Sequence, residues 1–174
     1  AKADLATCFV ERCFGFCGNG GSTALVTPQS WLFLGTYKKL REVLLAEGTF
    51  NAVAKLGPGA FETISGEVVN AALIEISRAK SGDESCFVGI DVTDEKSIAG
   101  KAEQLRVSTV MLPKQCAQTK NADSRIVLSE VSAGSLLLEL ANSYEGIGCG
   151  DLERFSRVFT EVPSWGRDWR AFRG

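Results

Sequence analysis

Residues 23–27, "TALVT", form a short apolar run that breaks at Pro28 and leads into Gln29, Ser30 and Trp31. Read as a strand, the run puts Thr27, Pro28, Gln29, Ser30 and Trp31 at its carboxyl end. In open α/β sheets that end is where ligands bind. The exit offers hydroxyls, an amide and a large ring, so it could wall a cleft. The competing reading has Trp31 and Leu32 packed on the adjoining helix. A second loop, "GPGAFETISGEVVN" at 57–70, follows the run "FNAVAKL" in the same way. Its glycines permit close backbone approach, and Phe61 is a ring with nothing periodic beside it. Such a ring either stacks on a base or folds back on the core.

Other chemistries drop out. The chain has no histidine, which removes Ser-His-Asp and Cys-His relays and any His-ligated metal. Work must fall to carboxylates, backbone groups, aromatic faces or a bound cofactor. Cys8, Cys13 and Cys17 lie in one helical pattern, Cys86, Cys116 and Cys149 are scattered, and no C-x-x-C pair occurs. That spacing suits buried free thiols better than zinc, so no metal is expected. "GNGG" at 18–21 ends a helix and begins a strand, the reverse of the order a phosphate loop needs, and reads as a structural turn. A net charge of −2 gives no footprint of nucleic-acid binding. The Arg-rich tail, with Arg154 and Arg157 as candidate phosphate contacts, is diluted by Asp151, Glu153, Glu161 and Asp168. A solvated face is the alternative there. No signal peptide or membrane span is evident, and a cytoplasmic location is expected.

The elements that would hold these sites follow from periodicity. Residues 4–17 place Leu5, Phe9, Cys13 and Phe16 on one helical face, with Asp4 as N-cap and Gly18–Gly21 as the stop. A helix over Thr36–Glu47 carries Tyr37, Leu40, Val43 and Leu44 and stops at Gly48. "FNAVAKL" and "VVNAALIEI" are strands. "TALVT" lacks polar alternation, as expected of a strand covered on both faces. Strand, helix and strand make a right-handed crossover with parallel strands, and the loop join makes the last strand antiparallel. Such a sheet normally has more parallel strands, which would come first, so the domain reads as cut and "TALVT" as having an unpaired edge. After a break at "RAKSGDES", "CFVGIDV" is a strand, 94–106 a helix with acids in its first turn, and "STVML" and "RIVL" short strands around a polar loop. A further helix is expected near "SLLLELANS".

Residues 4–77, with "ALVTPQSWL", "KKLRE" and "LGPGAFE" at their spacings, resemble the later half of the catalytic domain of adenine-N6 DNA methyltransferases. The likeness is greatest to the gamma-type enzymes of restriction–modification and BREX-type phage defence. "YEGIGCGDLERFSR" is similar to the segment opening their target-recognition region, with Cys149 where threonine is usual. The resemblance implies an α/β fold: a partial Rossmann-like methyltransferase sheet, made of a crossover unit plus an antiparallel terminal hairpin, followed by a small α+β segment. It implies S-adenosylmethionine over the strand ends and a flipped adenine beside it, since the exocyclic amine is unreachable inside the stack. By position, Phe61 matches the ring that stacks on the adenine. Leu5 and Phe9 match the side meeting the cofactor's adenine, and Thr27–Trp31 help wall the cleft without a catalytic step.

The family's glycine-rich cofactor loop and its Asn-Pro-Pro-Tyr/Phe motif do not occur in the chain. Both belong upstream of Asp4, and a start at Ala1 without methionine reads as an excised piece. The division expected is 1–80, the C-terminal half of the catalytic domain; 81–142, a connecting α+β segment; and 143–174, the start of target recognition. The chain is then a fragment of a DNA adenine methyltransferase whose parent acts on double-stranded DNA. Alone it should neither bind S-adenosylmethionine nor turn over, because positioning both reactants contributes about 7–11 kcal/mol. The alternative is a non-catalytic DNA-recognition or subunit-interaction module that self-associates through its unpaired edge. An unrelated small-molecule transferase on the same fold is a third reading.

Overall fold

The computed structural model describes residues 4–61, 69–129, 141 and 159–162. The chain divides into two units, Ala1–Gly134 and Ser135–Gly174. In the second, Phe159–Glu161 form one 3-10 turn. The helix expected near "SLLLELANS", the "YEGIGCGDLERFSR" segment, Arg154 and Arg157 lie outside the described residues, apart from Ala141.

The first unit opens with α1, Leu5–Phe16, capped by Asp4, whose side chain accepts from the Thr7 backbone N–H at 2.8 Å. Gly18–Gly21 then form a turn, with the Gly21 N–H on the Gly18 carbonyl, and β1 runs Ser22–Pro28. α2, Lys38–Glu47, is entered through a 3-10 turn at Gly35–Tyr37. It ends at Gly48, where the reason for glycine is packing. An added Cβ would sit 2.9 Å from both the Leu44 carbonyl oxygen and the Phe14 ring. β2, Thr49–Gly57, and β3, Ala71–Ser77, follow.

The strands form one sheet in the order β1-β3-β2-β4, where β4 is Val88–Asp91. β3 lies antiparallel to both β1 and β2, and β4 is parallel to β2. The expected hairpin is present. The strands β1 and β2 of the crossover share a direction without touching, because β3 fills the space between them.

One face of the sheet carries the main core. Leu25, Ile74 and Val53 lie abreast, covered by Val10 and Phe14 of α1, Leu44 and Leu45 of α2, and Trp31, Phe50, Phe87, Ile126 and Leu128. The face of α1 that packs is therefore Thr7, Val10 and Phe14. The larger side chains at Leu5, Phe9 and Phe16 are exposed. On the opposite face α3, Ile98–Val107, brings Leu105 against Leu56, Ala71 and Val92. Val26 and Leu73, abreast on that same face, remain exposed. Among the described residues β1 is thus covered on one face only, not two. Thr23, Leu25 and Thr27 turn inward, while Ala24 and Val26 turn out.

Two further differences have local causes. The second-half helix begins at Ile98 rather than Asp94, because Ser97 is its N-cap and the Glu95 carboxylate instead binds the Ser97 N–H and hydroxyl. "RIVL" is not a strand. The Ile126 N–H bonds the Leu32 carbonyl, and Ile126 and Leu128 are held by burial rather than by a ladder. In "STVML" only Met111 bridges, to Gly89 of β4. Among the described residues no helix is long and apolar enough to cross a membrane.

Candidate functional site

The sheet brings the two candidate loops to one rim. Pro28, the last residue of β1, is opposite Ala71, which is opposite Gly57, the last residue of β2. The Gln29 N–H extends the ladder past Pro28 by donating to the Asn70 carbonyl at 2.7 Å. Both strands therefore deliver their exits at the same edge, with β3 between them.

At the β1 exit, Gln29–Leu32 turn as a 3-10 helix. Trp31 and Leu32 are fully buried in the core, so of the two readings of this exit they follow the packing one. The Trp31 indole N–H donates to the Thr27 hydroxyl at 3.0 Å, which is itself buried. Pro28, Gln29 and Ser30 are half-buried and remain at the rim. The Gln29 side-chain carbonyl is buried with no hydrogen-bond partner among the described residues.

Arg41 of α2 holds this turn from beneath and was not foreseen in the sequence. It is fully buried and donates only to backbone carbonyls: Trp31 and Leu34 from Nη1, Asp123 from Nη2, and Asp123 and Ser124 from Nε. Burial lowers its pKa from the ordinary value, because removing a guanidinium from water disfavours its charge. Asp123 and Ser124 have positive φ, 55° and 52°. Their carbonyls therefore meet in the fork of one side chain, a convergence that no spacing of residue types announces.

At the β2 exit a register shift between Lys55 and Gly57 marks a bulge, a feature that redirects a strand where it leaves a sheet. Gly57 has φ of 68°, and a Cβ there would lie 2.7 Å from the Thr93 methyl carbon. Lys101 of α3, also buried, donates its ammonium protons to the carbonyls of Leu56 at 2.6 Å, Val92 at 3.3 Å and Glu95. All three protons are satisfied and the start of the loop is anchored to β4 and α3. Ala60 packs on the small cluster, while Phe61 stands out at 42% exposure. Residues 62–68 of the loop lie outside the described residues.

The first turn of α1 reaches the same end of the molecule. The Tyr37 hydroxyl, beyond the β1 exit, donates to the Asp4 carboxylate at 2.7 Å. That bond, with the Thr7 N–H, lowers the Asp4 pKa, and the carboxylate in turn raises that of Tyr37. Leu5 and Phe9 are 73% and 56% exposed, with Arg12 stacked 4.8 Å over the Phe16 ring further along the stripe. A shallow groove lined by Cys8, Arg12, Phe14, Val43, Glu47 and Arg78 lies at the opposite end, where β2 begins and β3 ends. The described cysteines, Cys8, Cys13, Cys17, Cys86 and Cys116, are free thiols. Cys8, Cys86 and Cys116 are exposed and Cys13 and Cys17 half-buried, so the expected burial of thiols does not hold for them.

This rim, with a buried tryptophan exit on one side and an exposed ring on the other, falls in a segment with known relatives. Residues 1–61 match the Eco57I restriction-modification methylase family. The adenine-specific methyltransferase BrxX of Escherichia coli O9:H4 (strain HS) is 42% identical over 82 residues, 47% of this chain and 7% of the relative. The adenine-specific methyltransferase PglX of Lacticaseibacillus casei (strain Zhang) is 36% identical over 80 residues, 46% of this chain and 7% of the relative. The matches thus span 7% of each curated relative's own length. Among solved structures, a modification subunit of a putative type I restriction enzyme from Vibrio vulnificus aligns over 60% of this chain and 25% of its own, with 20% identity and a TM-score of 0.44. The likeness to adenine-specific DNA methyltransferases read from the sequence holds over this part of the chain.

Proposed function

We propose that the first unit supplies part of the catalytic cleft of an S-adenosylmethionine-dependent enzyme that methylates adenine N6 in duplex DNA. The observation carrying this reading is the shared rim: an exposed Phe61 on an anchored loop, beside the β1 exit, in the segment matched by the methylase family. In this reading Phe61 stacks on the flipped adenine, Leu5 and Phe9 face the cofactor's adenine, and Pro28, Gln29 and Ser30 wall the cleft. Thr27 and Trp31 act beneath the surface by fixing the wall. Arg154 and Arg157 contact the DNA. The division at 80 and 142 is kept as part of the proposal, as is a cytoplasmic location.

The isolated chain does not transfer methyl groups, because it carries neither the glycine-rich loop nor the Asn-Pro-Pro motif that would hold the two reactants. Calorimetry with S-adenosylmethionine should show no binding. The decisive experiment puts residues 4–77 in place of the matching segment of Escherichia coli BrxX and measures adenine methylation of duplex DNA. The chimera should methylate, and Phe61→Ala within it should lower kcat/KM by about tenfold or more, since stacking on a base is worth ~1–3 kcal/mol. A folded chimera without activity, or one indifferent to Phe61→Ala, would sink the proposal.

A further inference from the structure

The bulge at the end of β2 decides which way the Phe61 loop leaves the sheet. Lys55 is opposite Ala72 and Gly57 opposite Ala71, so Leu56 has no partner on β3. The parallel ladder with β4 ends at Lys55 and Asp91, so Leu56 has none there either. An extra residue of this kind is left out of the ladder and bends its strand. A buried carbonyl in that position needs a donor from elsewhere. The Leu56 carbonyl takes the Lys101 ammonium, at 2.6 Å.

Lys101 is 3% exposed, and it also donates to the carbonyls of Val92 and Glu95 between β4 and α3. Burying an ammonium is costly unless hydrogen bonds satisfy it. Here those bonds tie the bulge to one place on β4 and α3. The loop beyond the bulge rests on the same stretch. Gly57, at φ of 68°, lies against Thr93. Gly59, at φ of 71°, comes close enough that a Cβ would lie 3.4 Å from the Lys96 carbonyl oxygen. Ala60 packs with Leu105 and Ile90 on the cluster of Leu56, Ala71 and Val92. Phe61 is the next residue. Every one of these contacts is made on the β4 side of the sheet, remote from β1.

We infer that Lys101 is a positioning residue for the ring at Phe61: by holding the bulge at Leu56, it fixes the face on which the loop presents that ring. The inference rests on the proposed stacking role of Phe61 and adds the residue that orients it. A methionine at 101 fills the same space but gives the Leu56 carbonyl no donor. Pairing Leu56 in the ladder then becomes the better way to satisfy it, and the loop moves by one residue. Such a slip turns every side chain beyond it to the opposite face, so Phe61 leaves the rim. The segment 81–142, expected as a connector, thus takes part in the cleft through β4 and α3.

Fluorine NMR of the full chain labelled with fluorophenylalanine tests this without a substrate. The Phe61 resonance is identified by its loss in Phe61→Leu. In Lys101→Met it should shift most of the way to its position in the urea-unfolded chain. The resonances of Phe50 and Phe87, paired in the main core, should stay. Leu105→Ala removes support on the α3 side but keeps the ammonium, and should shift Phe61 less in the same direction. Val53→Ala lowers stability through the main core and should leave the Phe61 resonance in place. An unmoved Phe61 resonance in folded Lys101→Met overturns the inference, as does an equal shift in Lys101→Met and Val53→Ala, which would make Lys101 a stabilising residue only. If Lys101→Met does not fold, an unmoved resonance in Leu105→Ala overturns it instead. The methylation chimera addresses a separate point: indifference to Phe61→Ala there removes the stacking role of the ring, whereas an unmoved resonance removes Lys101.

Discussion

The Arg41 guanidinium donates to the Trp31 carbonyl at 2.5 Å and so connects α2 to the turn that ends the β1 exit. Because the same fork also takes the carbonyls of Leu34, Asp123 and Ser124, three stretches of chain depend on one side chain. Arg41→Met keeps the bulk and takes this donor from the carbonyls of Trp31, Asp123 and Ser124, while that of Leu34 keeps the Tyr37 N–H; a buried acceptor stripped of its partner costs about 1–3 kcal/mol. The expected loss is ~3 kcal/mol or more, read from the urea midpoint. Arg41→Lys should recover only a minor part, since an ammonium lacks the planar fork. Equal stability of Arg41→Lys and the parent would show that geometry is irrelevant here.

Thr27→Val removes the acceptor for the Trp31 indole N–H without changing shape. It should destabilise by about 1–2 kcal/mol. Thr27→Ser, which keeps the oxygen, should lose less. Chemical denaturation of the pair checks this, and the reverse order would exclude the hydrogen bond as the cause.

Gly57→Ala forces a Cβ toward Thr93 at a backbone φ of 68°, so it should destabilise by roughly 1–3 kcal/mol. The paired variant Gly57→Ala/Thr93→Ala relieves the contact but not the backbone strain. It should recover part of the loss and no more. Lys101→Met should be costlier than either, because it takes the ammonium donor from the carbonyls of Leu56 and Glu95, while that of Val92 keeps the Glu95 N–H. Thermal melts of the three variants give the ranking.

Asp4 and Tyr37 confer opposite pH dependences at one contact. The Asp4 pKa is lowered from 3.8, so its contribution is complete above that value and fades as pH falls through the lowered native pKa. The Tyr37 pKa is raised from 10.0, so its contribution is complete below that value and fades as pH rises through the raised one. Asp4→Asn should retain the N-cap, flatten the acid limb of the urea midpoint against pH, and shift the tyrosinate absorbance titration down. An unchanged acid limb would remove Asp4 from the account.

The legible parts of the fold were those set by local pattern: α1 with its Asp4 cap, the three strands up to residue 77, and the hairpin implied by a loop without a helix. The packed face of α1 was not. Leu5, Phe9 and Phe16 have the helical spacing of a core stripe, and spacing says that residues share a face, not what the face meets. The buried set of Thr7, Val10 and Phe14 is smaller and contains a hydroxyl, so the more hydrophobic face is not the packed one. Arg41 and Lys101 were hidden for a related reason: charged residues are seldom fully buried, and their partners are carbonyls, which every residue has. At the rim, the positions of Phe61 and the β1 exit could be read from strand order. The inward turn of Trp31 could not, since it depends on an acceptor four residues back and on Arg41 below.

β3 lies between β1 and β2 although it is made after both, and this governs how the chain acquires its structure. Ser22 pairs with Ser77, 55 residues later, so the strand that pairs with β1 among the described residues is the third one to be made. A chain emerging from the ribosome can form α1, α2 and a loose crossover, but the two parallel strands stay apart until β3 slots in and closes both ladders together. Contacts at that separation slow folding through the entropy of loop closure. The match to the methylase family, residues 1–61, stops ten residues before β3 begins at Ala71, whereas BrxX matches over 82 residues. A truncation drawn at residue 61 would therefore remove the central strand that joins the crossover.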